Sequence, residues 1–272
     1  MGFNLALLQT EVVLDKAKNI ENACKKIEEV AKMGSKIVAL PEMFTCPYAT
    51  MNFEKYSEQL DGPTFEALSA VAKELQVNVV AGSIPEKALD DQGNARIYNT
   101  SMFINSQGQL AGYHRKHHLF DVNIPGAITF AESDILSAGE KVTVIDTEVG
   151  KIGLAICFDV RFPMMFEEMT KMGAKLIIVP AAFNMTTGPA HWHLTMRARA
   201  LDNQVYIAAC SPAKTLGGPY EAYGHSLIAD PWGRIVGECG DGNEILFAEV
   251  DFEQVDKIRE QLPLVKNWSS RP

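Results

Sequence analysis

The stretch Lys151-Ile-Gly-Leu-Ala-Ile-Cys157-Phe-Asp-Val-Arg161-Phe-Pro163 passes from a continuous apolar run into a single cysteine. Polar and aromatic residues follow, then a proline able to open a helix. The apolar run reads as a buried strand, and the helix is expected from Pro163 to Met172, with Gly173 as its stop. Cys157 therefore falls at the carboxyl end of a strand, beside a helix N-terminus. Ligands of open α/β sheets bind at such ends, and backbone N–H groups and the helix dipole there favour thiolate. Core packing is the commoner role of a free thiol. A base and an oxyanion stabiliser at comparable positions would tip the balance to a nucleophile.

Two other segments supply both groups. Ser35-Lys-Ile-Val-Ala-Leu40-Pro41-Glu42 is a second short apolar run, and it ends in a carboxylate. Gly112-Tyr-His-Arg115-Lys116 follows a hairpin pattern and brings an ammonium. Thiol, carboxylate and ammonium form a complete set for acyl transfer: the carboxylate takes the thiol proton, sulfur attacks a carbonyl, and the ammonium holds the oxyanion. Glu and Lys are abundant and usually solvated, so neither signal alone is specific.

Outward from these segments the chain alternates helices with pairs of strands. Strands are expected at Phe3–Gln9, 37–40, 77–84, 142–147, 175–180, 205–210, 225–229, 234–236 and 245–250, with a hairpin around Ser106-Gln-Gly108. Helices are expected at 16–33, 64–76, 191–203 and from about Phe252. Periodicity supports an α/β fold of mixed sheets; two sheets packed face to face with helices outside each satisfy the alternation. No linker or repeat divides the 272 residues, so one domain over 1–272 is expected.

The net charge of −9 argues against general binding of nucleic acid or anionic membranes, and no apolar stretch is long enough to span a bilayer. Five scattered cysteines (Cys24, Cys46, Cys157, Cys210, Cys239) without CxxC pairs favour reduced thiols. The opening Met1-Gly-Phe-Asn-Leu-Ala has no leader-like character, so a cytoplasmic location is expected. Adjacent His117-His118 diverge on any regular element, and His191-Trp-His193 converges only on a strand, where a helix is expected. Metal catalysis is therefore not expected, and the glycine-containing turns match no nucleotide loop.

Taken together the motifs resemble the nitrilase superfamily of carbon-nitrogen hydrolases. Pro41-Glu42, Arg115-Lys116 and Cys157-Phe158-Asp159-Val160-Arg161-Phe162 stand in that family's order. Gly153-Leu-Ala-Ile-Cys157, Tyr223-Gly-His-Ser226 and Asp230-Pro-Trp-Gly233 extend the resemblance along the chain. The omega-amidase branch is the most similar, through Phe183-Asn-Met-Thr-Thr-Gly-Pro-Ala-His-Trp192, Arg197-Ala-Arg199-Ala and Asp202-Asn-Gln-Val-Tyr206, together with Leu119-Phe120-Asp121. One departure is His193, where that branch carries Glu.

The resemblance implies a four-layer α-β-β-α sandwich, a Glu42-Lys116-Cys157 triad and no cofactor. It further implies that Glu132 holds Lys116 and positions the hydrolytic water. A homodimer is implied too, with the 262–272 tail on the partner subunit. The Phe158 backbone N–H would share the oxyanion with Lys116, and Arg161, just past the nucleophile, suits a substrate carboxylate. Tyr48, Phe120, Thr186 and Thr187 are candidate pocket walls. A charged lysine and a helix end near the sulfur are expected to lower the thiol pKa. The expected activity is release of ammonia from small ω-amides of the 2-oxoglutaramate type through a thioester. The alternatives are a nitrile, an N-carbamoyl amino acid or deaminated glutathione as substrate, acyl transfer to an amine, and a non-catalytic binding protein on the same fold.

Overall fold

Phe3–Gln9 is apolar on both faces, and the computed structural model, which describes residues 2–215 and 220–268, lays it inside a sheet between two neighbours. The first sheet runs Glu244–Val250, Phe3–Gln9, Ser35–Ala39, Asn78–Val80, Ala95–Ile104, Ile84–Leu89, and Leu110–Arg115 also pairs with Ala95–Ile104. The second runs Ile235–Glu238, Leu227–Ala229, Tyr206–Cys210, Leu176–Pro180, Gly150–Leu154, Thr143–Thr147. The middle three strands of each are parallel. Parallel strands are covered on both faces, which is why their sequences read as unbroken apolar runs.

Three packed layers of side chains fix the architecture. Between the sheets, Leu5, Leu7, Ile37 and Phe103 meet Ile152, Leu154, Ile178 and Tyr206. Outside the first sheet, Leu8, Val38 and Leu40 pack on Ile27 and Val30 of the helix Lys16–Lys32 and on Leu68 of the helix Pro63–Leu75. Outside the second, Ile177, Val179 and Ile207 pack on Phe166 of the helix Pro163–Lys171 and on Trp192 and Met196 of the helix Gly188–Asn203. Each fully buried Leu or Ile contributes about 1.5–3 kcal/mol. The expected α-β-β-α sandwich is the fold observed. Among the described residues no helix is long and apolar enough to cross a membrane.

Several expected boundaries move. The strand expected over 77–84 divides into Asn78–Val80 and Ile84–Leu89, because Gly82 turns the chain at φ +48°. A Cβ there would lie 2.0 Å from the Pro41 carbonyl oxygen, so the turn carrying Glu42 can approach only a glycine. The helix expected at His191 begins at Gly188. The short helix Thr50–Tyr56 and the hairpin Asp121–Ile124/Ile128–Ala131 were not foreseen. In the tail, Leu264–Trp268 is helical, and Gln204 holds the segment before it, its amide donating to the Leu262 carbonyl at 2.6 Å. Residues 269–272 lie outside the described residues.

The strand before the cysteine ends at Leu154, and a tight turn over Cys157–Arg161 intervenes before the helix at Pro163. Asp159 pins that turn. Its buried carboxylate accepts from the Ile156 and His118 backbone N–H groups at 2.9 Å each, and meets His118 Nδ1 at 2.8 Å and His114 Nε2 at 3.0 Å. Burial alone would raise its pKa; the two histidines and the N–H donors outweigh burial and hold it below the ordinary aspartate range. A depressed folded-state pKa contributes stability above the unfolded value of about 3.9, lost as pH falls through the folded one. Asp159→Asn should therefore cost on the order of 3 kcal/mol at neutral pH and flatten the decline below about pH 4, read by urea denaturation across pH.

Candidate active site

The first sheet's strand Ser35–Ala39 delivers Glu42 just beyond its carboxyl end, where Ser83 Oγ accepts from the Met43 N–H at 3.0 Å. Glu42 is almost wholly buried. One carboxylate oxygen accepts from Lys116 Nζ and from Asn99 Nδ2, each at 2.9 Å, and the other from the Ala182 N–H at 2.8 Å. Ala182 follows the strand Leu176–Pro180, so this bond joins the two sheets.

Lys116 follows the strand Leu110–Arg115 and is held through its own N–H to the Asn99 carbonyl at 2.8 Å. Its ammonium is fully buried between Glu42 and Glu132, 2.9 Å from Glu42 and 2.8 Å from the nearer Glu132 oxygen. Glu132 accepts from the Phe120 N–H at 2.6 Å and from the Tyr48 hydroxyl at 2.5 Å. The Tyr48 hydroxyl stands 3.4 Å from Glu42.

Cys157 completes the group. The Glu42 carboxylate and the Ala182 N–H both act on its thiol electrostatically, and the residue is 4 % exposed. Its backbone is left-handed, φ +45°, a conformation rare for residues other than glycine. Strain of about 1–3 kcal/mol is stored in such positions when the surroundings over-determine them, as the Asp159 clamp does here.

Electrostatics reverse one expectation. The Cys157 pKa is pushed well up, by burial first and by Glu42 next, and Lys116 opposes them only in part. Burial also raises Glu42, with Glu132 adding to it against the pull of Lys116. Burial would lower Lys116, but Glu132 and Glu42 outweigh it and hold the ammonium charged. With two carboxylates against one ammonium, a thiolate would be a further uncompensated buried charge. The sulfur rests as a thiol beside a carboxylate able to take its proton.

A cavity of about 70 Å³ opens beside this cluster, lined by Glu42, Tyr48, Ala182, Ala213 and Tyr220 among others. Cys157 does not itself line it. Residues 4–260 match the model of the carbon-nitrogen hydrolase family. The chain belongs to that family. It is 46 % identical to an omega-amidase NIT2 from Xenopus tropicalis over 262 residues, 96 % of this chain and 93 % of the relative. It is 47 % identical to the omega-amidase NIT3 of Saccharomyces cerevisiae over 93 % of this chain and 88 % of that one. The crystal structure of Saccharomyces cerevisiae Nit3 superposes with a TM-score of 0.88 at 43 % identity, covering 97 % of this chain and 95 % of that one. The NitFhit protein of C. elegans gives 0.85 at 32 % identity, over 99 % and 65 %. The chain is accordingly a hydrolase.

Within this carbon-nitrogen hydrolase, the remaining candidates are placed differently. Tyr48 and Phe120 touch the charged cluster directly. Phe158 stacks edge-on against Phe120, ring centroids 5.2 Å apart. The Arg161 guanidinium lies 5.0 Å over Phe183 and 3.2 Å from His191 Nδ1, half-buried, with its charge felt at Cys157. Thr186 and Thr187 do not reach the cluster. Both their N–H groups donate to Asn184 Oδ1 at 2.9 Å, which shapes the turn into the helix at Gly188, and Thr186 is exposed.

Asn99, Ala182 and Tyr220 escaped the sequence. Tyr220 packs on Tyr48 with centroids 4.6 Å apart and donates to the Ala182 carbonyl. Ala182 acts through its backbone, which leaves no side-chain signal; Asn99 was hidden in a strand pattern. Lys116→Met would leave two buried carboxylates facing each other and should cost about 3–5 kcal/mol at neutral pH. Protonating the pair relieves that repulsion, so the gap to wild type should narrow as pH falls, read by denaturant midpoints; a constant gap would reject the electrostatic account.

Proposed function

We propose that the chain is an amidase, acting as a single domain, that releases ammonia from small ω-amides of dicarboxylic acids of the 2-oxoglutaramate and 2-oxosuccinamate type. The reaction would pass through a thioester on Cys157. One observation carries this reading: a single buried carboxylate, Glu42, bonds the Lys116 ammonium at 2.9 Å and acts electrostatically on the Cys157 thiol. The omega-amidase names of the relatives in Xenopus and yeast support the substrate class.

In the first half-reaction Glu42 takes the Cys157 proton as sulfur bonds to the amide carbon. Lys116 and the Phe158 N–H hold the oxyanion. The C–N bond breaks, Glu42 returns its proton to the leaving nitrogen, and ammonia departs. In the second, water attacks the thioester while Glu42 accepts its proton, and the carbon–sulfur bond breaks. The proton goes back to sulfur and the carboxylic acid leaves. The raised pKa of Glu42 makes its carboxylate a better acceptor for the thiol proton, and because a free buried thiolate is disfavoured, proton transfer accompanies attack. Glu132 fixes Lys116, and Arg161 is assigned to the distal carboxylate of the substrate.

Cys157→Ala should keep the native circular dichroism spectrum and abolish ammonia release. Intact-protein mass spectrometry of the wild type with 2-oxoglutaramate should show an acyl adduct on the peptide bearing Cys157; turnover by the alanine variant would reject the nucleophile. The base must be ionised and its pKa is raised, so kcat/KM should fall as pH drops through a point above the ordinary glutamate value of about 4.3. An acid limb at or below that value would contradict the role of Glu42.

A further inference from the structure

His193, the departure from the family pattern, does not stand alone. It leaves the helix Gly188–Asn203 to meet His225, from the segment before the strand Leu227–Ala229, and Glu238, the last residue of the strand Ile235–Glu238. His193 Nε2 lies 2.7 Å and His225 Nδ1 2.9 Å from the same carboxylate oxygen, Glu238 Oε1. One ligating atom from each residue falls within 4.8 Å of the other two. None of the three lines the cavity beside Glu42.

We propose that His193, His225 and Glu238 form a binding site for a divalent transition metal of the zinc class. Two imidazoles and one carboxylate are a donor set such ions take, and calcium or magnesium would want more oxygen. The side chains are each about 30 % exposed, so an ion can enter from solvent and keep water in a fourth position. The ligands also come from three separate elements, each fixed independently of any ion. His225 is held by its N–H to the Gly240 carbonyl at 2.9 Å and by Trp192 Nε1 donating to its own carbonyl at 2.7 Å. Its ring stacks on Tyr223 with centroids 4.3 Å apart, and His193 meets the same Tyr223 edge-on. Both ring nitrogens already face one carboxylate oxygen, at 2.7 and 2.9 Å, and that oxygen would draw back by roughly half an ångström for the three to share an ion.

A bound ion would brace the back of the active site. Tyr223 donates its N–H to the Phe183 carbonyl at 2.7 Å, one residue from Ala182, and lies three residues from Tyr220 of the cavity wall. The ion would tie that segment to the helix Gly188–Asn203 and to the edge strand of the second sheet.

The test uses the full chain carrying Cys157→Ala, which removes the active-site thiol as a competing ligand. Zinc chloride is titrated in competition with a fluorescent zinc chelator, and bound metal is counted after gel filtration. One equivalent of zinc should bind, and His193→Ala and Glu238→Gln, with unchanged circular dichroism, should each weaken it by at least about tenfold. Absence of bound zinc in the parent, or full affinity in either variant, would overturn the site. The readout is metal content, so its failure would leave the amidase reading untouched.

Discussion

An ammonium with no access to water is held between two carboxylates, and the surroundings of the site are built to make that tolerable. Each buried ion costs several kcal/mol of lost hydration, and its partners offset the loss only when the remaining lone pairs and protons are also satisfied. Lys116 therefore dictates what stands around it. Asn99 and the Ala182 N–H serve Glu42; the Phe120 N–H and the Tyr48 hydroxyl serve Glu132. Because Glu42 belongs to one sheet and Ala182 to the other, the charged cluster also staples the sandwich at the end that carries the candidate site.

The same cluster explains why the sulfur rests protonated. Sequence spacing reveals a lysine and a helix start near Cys157, and both pull toward thiolate. It does not reveal complete desolvation or how near the Glu42 carboxylate comes to the sulfur. Those two effects set the sign.

Legibility followed the strength of each local signal. The parallel strands announce themselves because burial on both faces leaves unbroken apolar runs, as at Leu176–Pro180. Gly173 marked its helix end, with φ +99°. The helix Thr50–Tyr56 has seven residues and no side-chain cap, so neither period nor cap betrayed it. The hairpin at 121–131 lacks the alternation of a half-buried sheet, since it packs by few side chains. At Thr186 and Thr187 the sequence does not show that Asn184, two residues before the first of them, turns their backbone into a helix start. Glu42, Lys116 and Cys157 were legible as residue types in a familiar order. Their convergence depends on register between strands far apart in sequence.

The left-handed backbone at Cys157 restricts what chemistry this scaffold can be redesigned to perform. A β-branched side chain is a steric outlier at φ +45°, so under the proposed mechanism threonine fits this position poorly as a replacement nucleophile, whereas serine meets no such barrier. Under that proposal, a change to oxygen-based acyl transfer at this position would go through the unbranched alcohol.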